Sequence, residues 1–291
     1  MRRRDFLAGA AGLIGAAATP LRALANVPTP FTFDTKPPMA PGDKAKFIEW
    51  GVTARGEDPK FLGERFDRYL AMVRNEDLVD DRNKIAFLCT PREKFVLTQN
   101  LGRAYDHAFL DIGYGVTISG PHIVGRMTST INPQKGEKVL EVGTGSGYQS
   151  AYLSHLTDKV STIEIIKPLA ERTRGIYDDL IKDGYSEFKA ISSKNADGYY
   201  GWEQNGPFDK IIVTCGIDHV PPPLLQQLKD GGIMVIPVGP PGAQRVLKVV
   251  KTKNPDGTIT VARSDIYHGR IVPFVPFTKL EGDAIKGTHN N

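Results

Sequence analysis

The pattern of apolar and polar positions changes near residue 138, where short apolar runs begin to alternate with helical stretches. Four segments, at residues 139–142, 160–163, 211–213 and 233–236, are continuous enough in apolar character to be buried parallel strands. Segments with helical periodicity separate most of them, near residues 148–156, 168–182 and 222–230. Two later runs, 246–250 and 259–267, are joined across an Asn-Pro-Asp-Gly turn and predict a hairpin. The pattern therefore predicts an α/β fold, a doubly wound parallel sheet with an antiparallel C-terminal edge pair.

The sequence of residues 26–80, ahead of the predicted sheet, indicates an N-terminal helical extension. Its first part, residues 26–57, is rich in Pro, Thr and Gly and predicts an extended lead-in. Asp58 and Pro59 then have the form of a helix N-cap followed by proline at the first helical position. Apolar residues follow at helical spacing, which predicts one buried helix face, at positions 62, 66, 69, 70 and 73. We expect a second short helix around 85–89, the main domain over 81–280 and a loose tail over 281–291.

The first 25 residues have the organisation of a secretory signal and are left out of the fold prediction. Arg3-Arg4-Asp5-Phe6-Leu7 precedes an Ala/Gly-rich, weakly apolar stretch, and Ala23-Leu24-Ala25 supplies the small-x-small pattern that a signal peptidase recognises. Twin arginines indicate the route that exports folded proteins. We therefore expect transit through the twin-arginine export machinery and a periplasmic or extracytoplasmic location. The alternative is a basic helical N-terminus that stays attached to a cytoplasmic protein.

The net charge of the chain is concentrated in that signal. The whole chain carries +4, and residues 1–25 hold four arginines against one aspartate, so the remainder carries only +1. This balance gives no reason to expect a nucleic-acid partner. Apolar runs stay well below the roughly 20 residues of a membrane-spanning helix, so stable membrane insertion is not expected either.

The sequence contains only two cysteines, Cys89 and Cys215, which excludes a disulfide framework or a cysteine-rich metal site. We expect both to be free, buried thiols, although an oxidising compartment would allow them to pair if their Cα atoms came within reach. The histidines show no paired metal-ligand spacing, so no metal is expected.

A glycine loop, Glu141-Val142-Gly143-Thr144-Gly145-Ser146-Gly147, follows a predicted strand directly and opens a helix. Glycine lets the backbone turn sharply and approach a ligand closely, and the helix N-terminus offers unpaired N–H groups. Glu164 stands twenty-one residues after Gly143, at the end of the next strand, which suits a carboxylate that binds both ribose hydroxyls of a nucleoside.

The identity of the residue after this loop distinguishes between two nucleoside cofactors. A dinucleotide fingerprint needs glycine at position 148, where this chain has Tyr148. The Glu-x-Gly-x-Gly-x-Gly form resembles the first motif of class I methyltransferases, in which Glu141 would meet the methionine ammonium of S-adenosylmethionine. The prediction is therefore an S-adenosylmethionine site, with a dinucleotide site as the weaker alternative. Asp197-Gly198 follows the predicted third strand, where such enzymes often place an acid against the adenine amino group. It is equally compatible with an ordinary Asp-Gly turn.

Beyond the glycine loop, the chain resembles protein-L-isoaspartate O-methyltransferases in ordered blocks from about residue 80 to 280. The blocks are Pro-Arg-Glu-Lys-Phe-Val at 91–96, Gly-Tyr-Gly-Val-Thr-Ile-Ser-Gly-Pro at 113–121, Val-Leu-Glu-Val-Gly-Thr-Gly-Ser-Gly-Tyr at 139–148, Asp-Gly-Tyr-Tyr-Gly-Trp at 197–202, Pro-Phe-Asp-Lys-Ile-Ile-Val-Thr at 207–214, Gly-Gly through Pro-Val-Gly at 231–239, and Phe-Val-Pro-Phe-Thr at 274–278. The resemblance implies a Rossmann-like methyltransferase sheet. It also implies methyl transfer from S-adenosylmethionine to the free carboxylate of isoaspartyl residues in damaged proteins or peptides.

Carried over residue by residue, the resemblance implies a substrate-binding segment of Thr117, Ile118 and Ser119. Ser119 is the implied catalytic residue, because its hydroxyl would orient the accepting carboxylate; an N-cap for the helix after Pro121 is a compatible second role. The implied cofactor-binding residues are Glu141, Gly143, Thr144, Gly145, Ser146, Gly147, Tyr148, Glu164, Ile165, Asp197, Gly198 and Thr278. The chemistry needs no strong base, since the acceptor is already an anion near pH 7.

Two departures from the family pattern keep other functions open. Val116 stands where the family usually has glutamine, and Thr214-Cys215-Gly216-Ile217-Asp218 replaces a Thr-Ala-Ala-Pro segment on the acceptor side. The first alternative is therefore a methyltransferase for another carboxyl or hydroxyl acceptor. The second is a module that binds S-adenosylmethionine without catalysis.

Overall fold

The computed structural model describes residues 36–277 of the 291-residue chain. The predicted signal at 1–25, the first part of the lead-in, the tail at 281–291 and Thr278 lie outside the described residues. None of the helices within the described part is long and apolar enough to cross a membrane.

Three helices precede the sheet: α1 (Lys44–Arg55), α2 (Pro59–Arg74) and α3 (Asp81–Cys89). The predicted start of α2 is confirmed, because the Asp58 side chain accepts a hydrogen bond from the Lys60 N–H at 2.7 Å and Pro59 occupies the first turn. The short helix expected around 85–89 is also confirmed, and it begins four residues earlier.

The prediction of an extended lead-in up to residue 57 is wrong over α1. The prolines that suggested it end at Pro41, and the chain turns helical two residues after Gly42. Apolar residues of α1 do not form a simple stripe, so its stability comes from packing on α2 rather than from a pattern visible in the sequence. Phe47 of α1 lies against Phe66 of α2, with ring centroids 5.3 Å apart.

A two-stranded antiparallel hairpin, β1 (Leu110–Asp111) and β2 (Thr117–Ile118), leads into helix α4 (Pro121–Ile131). The sequence did not predict these short strands. The main sheet then contains seven strands: β3 (Val139–Val142), β4 (Val160–Glu164), β5 (Ile191–Asn195), β6 (Phe208–Val213), β7 (Leu228–Val238), β8 (Arg245–Lys253) and β9 (Ile259–Asp265). The connecting helices are α5 (Tyr148–Ser154), α6 (Lys167–Lys182) and α7 (Pro222–Gln227).

The strand order is β5-β4-β3-β6-β7-β8-β9. The first five strands in this order are parallel, while β8 pairs antiparallel with β7 and β9 antiparallel with β8. The predicted doubly wound sheet with an antiparallel edge pair is therefore confirmed. The chain moves from β3 toward β5 on one side and resumes at β6 on the other, so a crevice opens at the carboxyl ends of β3 and β6.

Alternate residues of the strands lie in two apolar layers, one on each face of the sheet. One layer packs the sheet against α2–α6 and includes Val139, Val160 and Ile212. The other contains Leu140, Ile163 and Ile211 together with Leu224 of α7 and Phe277. Because Phe47, Leu62 and Phe66 belong to the first layer, the N-terminal helices share the core of the sheet domain.

A buried ion network also joins the N-terminal helices to the rest of the domain. Arg65 of α2 is fully buried and contacts Glu57 at 2.7 Å and Glu93 at 3.1 Å. Arg55 of α1 contacts Glu57 and Glu187, both at 2.9 Å. Charges removed from water in this way remain favourable only while they are paired, so the network ties α1 and α2 into the domain.

Candidate active site

The glycine loop connects β3 to α5 in backbone conformations that glycine alone adopts readily. Gly143 has φ +96° and Gly147 has φ +90°. A Cβ atom on Gly143 would lie 2.4 Å from Oγ1 of Thr214, and one on Gly147 would lie 2.6 Å from Cγ2 of Thr173. Both positions therefore require glycine, for conformational and for steric reasons.

Glu164 ends β4 beside this loop, as the sequence predicted. Its Oε2 accepts a hydrogen bond from the Gly145 N–H at 2.8 Å, and its Oε1 accepts one from the Ile166 N–H at 2.9 Å. Burial raises its pKa, while these backbone hydrogen bonds act in the opposite direction. A carboxylate can accept about four hydrogen bonds, so two positions remain for ligand hydroxyls.

A cavity of about 700 Å³ opens in front of Glu164. Its walls come from the loop and strand ends around 142–145 and 163–166, the hairpin residues 116–119, and the segment 274–277. Gly198 and Ile165, both predicted cofactor residues, line it as well. The lining is mostly apolar, which suits the flat ring system and sugar of a nucleoside.

A second cavity of about 430 Å³ adjoins the first and reaches Glu141. Glu141 is fully buried; its Oε2 accepts hydrogen bonds from the Ser150 hydroxyl and, at 2.7 Å, from the Thr162 hydroxyl. Its Oε1 is buried without a hydrogen-bond partner. Burial raises the pKa of Glu141 to about 8, against the opposing effect of the two hydroxyls. A buried acceptor with an unused oxygen fits a cationic ligand group such as an ammonium.

The two cavities share one group of lining residues, which includes Thr117, Ser119 and Phe274. Ile118, between Thr117 and Ser119 in the chain, is buried in the core and borders the second cavity. The helix-capping role predicted for Ser119 is wrong: Gly120 is the N-cap of α4, no side chain caps the helix, and Pro121 occupies its first turn. Ser119 instead lines both cavities.

The remaining loop residues that the sequence singled out differ in their placement. Thr144, Ser146 and Tyr148 line the second cavity. Gly147 lies behind the loop, against Tyr177 of α6. Asp197 borders neither cavity; its side chain accepts a hydrogen bond from the Tyr199 N–H at 2.8 Å and caps a short 3₁₀ turn. The turn role is therefore observed, and an adenine contact by Asp197 stays a prediction.

Several lining residues were missed by sequence reasoning. Thr214 follows β6 directly, and its hydroxyl donates to the Gly143 carbonyl at 2.6 Å, which holds the glycine loop. Thr214 could have been predicted as a site residue from its position at the end of a strand that pairs with β3. Residues 274–277 were recognised as a family block, but only Thr278 was assigned to the site. In the structure, Gly216 binds this segment from both sides, donating to the Val275 carbonyl at 2.8 Å and accepting from the Phe277 N–H at 2.7 Å.

Both cysteines are free, as predicted. Cys89 is buried in α3, and burial raises its pKa to about 12. The predicted burial is wrong for Cys215, which is only partly buried because it lines the larger cavity. Over residues 36–277, no group of three or more His, Cys, Asp or Glu side chains is placed to hold a metal ion.

A parallel sheet with a glycine loop after β3, an acid at the end of β4 and a two-part cleft at the strand crossover is the architecture of a Rossmann-like methyltransferase. The sequence model of the protein-L-isoaspartate(D-aspartate) O-methyltransferase family matches residues 67–282. Because this match covers most of the chain, the protein belongs to that family.

Curated relatives and solved structures agree. A protein-L-isoaspartate O-methyltransferase 2 from Polaromonas sp. is 45% identical over 202 residues, covering 69% of this chain and 89% of the relative. A Vibrio parahaemolyticus protein-L-isoaspartate O-methyltransferase is 41% identical over 214 residues, 74% of this chain and 94% of its own. A solved protein-L-isoaspartate O-methyltransferase superposes with a TM-score of 0.62 at 25% identity, covering 75% of this chain and 67% of that one. A Plasmodium falciparum structure of the same type, with S-adenosyl-L-homocysteine, has the same fold, with a TM-score of 0.60 at 22% identity over 73% and 97% of the two chains.

Proposed function

We propose that this protein transfers a methyl group from S-adenosylmethionine to the free carboxylate of L-isoaspartyl residues in damaged proteins. The observation that carries the proposal is the two-part cleft, which has a buried acid at each end and hydroxyl groups where its parts meet. The ester formed in this way collapses to a succinimide that reopens partly as normal aspartate, so the reaction repairs the chain.

Two carboxylates of the protein account for cofactor binding. Glu164 would accept hydrogen bonds from the ribose hydroxyls, and the unpartnered Oε1 of Glu141 would accept one from the methionine ammonium. Ile163 and Ile165 supply apolar surface next to Glu164. When bound, S-adenosylmethionine supplies an already activated methyl group, so the residues of the protein need only position the acceptor and exclude water.

Thr117 and Ser119 act on the acceptor. Both border the two cavities at once, and so lie between the ribose end at Glu164 and the ammonium end at Glu141. An isoaspartyl carboxylate is an anion at neutral pH and needs no general base. Ser119 would donate a hydrogen bond that aligns this carboxylate, while Phe109 and Phe274 keep water from the reacting groups. Such alignment can lower a barrier by about 7–11 kcal/mol in favourable cases.

Transfer of radiolabelled methyl groups to a pair of peptides tests the proposal. One peptide contains isoaspartate and its twin contains aspartate at the same position. We expect base-labile label in the isoaspartyl peptide alone, and a large loss of labelling in Ser119→Ala but not in Ser264→Ala on the outer strand β9. Equal labelling of both peptides, or of neither, would contradict the proposal.

Another carboxyl or hydroxyl acceptor is the second candidate. It is favoured by Val116 and Cys215, two departures from the family pattern that both line the larger cavity. Cofactor turnover with cell-envelope extract, but not with isoaspartyl peptide, would support it. Tight binding of S-adenosylmethionine without transfer to any acceptor would indicate a non-catalytic binding module.

We also propose that the protein acts outside the cytoplasm after export by the twin-arginine machinery. The support is Arg3-Arg4 with the following Ala/Gly-rich stretch and Ala23-Leu24-Ala25. Cell fractionation tests it: the processed protein should be periplasmic, and replacing Arg3 and Arg4 by lysine should leave a longer precursor in the cytoplasm. An unprocessed cytoplasmic protein with the arginines intact would overturn this location.

A further inference from the structure

We propose that Val116 makes the acceptor side of the cleft select isoaspartyl residues that have an apolar neighbour in the peptide. This inference rests on the proposed function and specifies the class of peptide that the site prefers. It concerns a position at which this chain departs from the usual glutamine of its family.

Val116 is held in a fixed position immediately before the Thr117–Ser119 segment. Its N–H donates to the Gly113 carbonyl at 3.2 Å, and its carbonyl accepts from the Ile112 N–H at 3.1 Å. Arg172 of α6 anchors the same turn by donating to the Ile112 carbonyl at 2.6 Å. Because the backbone groups of Val116 are used within the turn, its contribution to the cavity is an apolar side chain.

Neighbouring residues make this part of the cavity apolar. Phe109, on the other side of the β1–β2 hairpin, lines the cavity together with Val116, and Phe274 to Phe277 form the facing segment. These residues border the same cavity as Thr117 and Ser119, which are the groups proposed to hold the acceptor carboxylate. A side chain adjacent to the isoaspartyl residue therefore enters surroundings that offer hydrophobic contact and few hydrogen bonds.

The charges of the cleft also favour an apolar side chain next to the isoaspartyl residue. Among the described lining residues of the two cavities there is no Lys, Arg or His, and the acidic residues are Glu141 and Glu164. A second acidic group on the peptide would therefore find no cationic side chain in the lining to compensate its charge. A neutral polar side chain on the peptide would lose its hydrogen bonds with water on entering the cavity. Val116 cannot replace those hydrogen bonds, whereas a glutamine at position 116 could.

The test uses two series of isoaspartyl peptides, in which either the preceding or the following residue is Leu, Gln or Glu. Burial of roughly 60 Å² of apolar surface corresponds to about a tenfold gain. In at least one series, we expect kcat/KM to fall about tenfold from the Leu peptide to the Gln peptide, and further to the Glu peptide. The fall should come from a rise in KM. The Kd of the same peptides, measured by fluorescence with S-adenosylhomocysteine present, should follow the same order.

Variants at position 116 assign the preference to this side chain. Val116→Gln should bring the Leu to Gln ratio to within about twofold, and Val116→Leu should keep it. Val52→Gln, at an exposed valine of α1, should leave the ratio as in the wild type. An unchanged affinity for S-adenosylhomocysteine shows in each case that the cleft is folded.

Equal use of the three neighbours in both series would overturn the inference while leaving the methyl transfer itself established. A preference that persists in Val116→Gln would also overturn it, because the preference would then arise elsewhere. If no isoaspartyl peptide is methylated, the proposed function fails, and the inference fails with it.

Discussion

The proposed contact between Glu141 and the cofactor ammonium should make cofactor binding depend on pH, by an amount that follows from the raised pKa of Glu141. Burial raises its pKa to about 8, so the carboxyl group is mostly protonated at pH 7 in the free protein. The amino group of the cofactor has an ordinary pKa of about 7.7–8.0 and is mostly an ammonium at pH 7. An ion pair between the two requires the carboxylate, so binding at neutral pH must release the proton of Glu141.

The size of the effect follows from the two pKa values. Ionising Glu141 costs about 1.4 kcal/mol at pH 7 and about 2.7 kcal/mol at pH 6, so affinity should fall roughly tenfold per pH unit below neutrality. Binding at pH 7 should release about 0.8 proton, because the free partners carry about 1.8 protons and the ion pair keeps one.

Isothermal titration calorimetry with S-adenosylhomocysteine measures this exchange directly. The observed enthalpy at pH 7 should vary with the ionisation enthalpy of the buffer, with a slope of about 0.8 proton released. Methylthioadenosine, which lacks the amino-acid portion, should show almost no slope, and neither should Glu141→Gln with the full ligand. A slope near zero for the wild type, or an unchanged slope in Glu141→Gln, would refute the assignment of Glu141 to the ammonium.

Four further changes have defined outcomes. Glu164→Gln should weaken S-adenosylhomocysteine binding about 10- to 100-fold by calorimetry, since it removes hydrogen bonds to a charged acceptor; an unchanged Kd would place the ribose elsewhere. Gly147→Ala should lower the free energy of unfolding by about 1–3 kcal/mol in urea, because φ is +90° and the new Cβ would lie 2.6 Å from a side-chain atom of α6. Arg65→Met should cost about 3–5 kcal/mol in the same assay, because it leaves Glu93 buried without a cationic partner and leaves Glu57 with Arg55 alone; a cost below about 1 kcal/mol would contradict this. The raised pKa of Glu141 stabilises the folded state fully at pH values below the ordinary pKa of 4.5. This stabilisation is lost as the pH rises through about 8. Tm should therefore fall more between pH 6 and pH 9 in the wild type than in Glu141→Gln.

Most of the sheet could be predicted from the sequence because its strands are buried on both faces. Strand β6 ends in a continuous apolar run, Ile211-Ile212-Val213, and the glycine loop fixes the junction of β3 with α5. The same reasoning placed Glu164 beside the loop, since the carboxyl ends of neighbouring parallel strands meet at one edge of the sheet. Local sequence and overall fold agree at these positions.

The elements that the sequence did not reveal are those stabilised by distant contacts. Helix α1 depends on packing against α2, and the hairpin of β1 and β2 has only two residues in each strand. Segment 274–277 reaches the site through backbone hydrogen bonds with Gly216, about sixty residues earlier in the chain. Asp197 caps a short turn and borders neither cavity. None of these contacts leaves a periodic signal in the sequence.

A crystal structure with bound S-adenosylhomocysteine is the most direct test of how this cleft works. Both ribose hydroxyls should lie within hydrogen-bond distance of Glu164, the amino group should contact Oε1 of Glu141, and the sulfur should lie near Thr117 and Ser119. A ligand bound outside the two cavities, or one whose amino group points away from Glu141, would contradict the account.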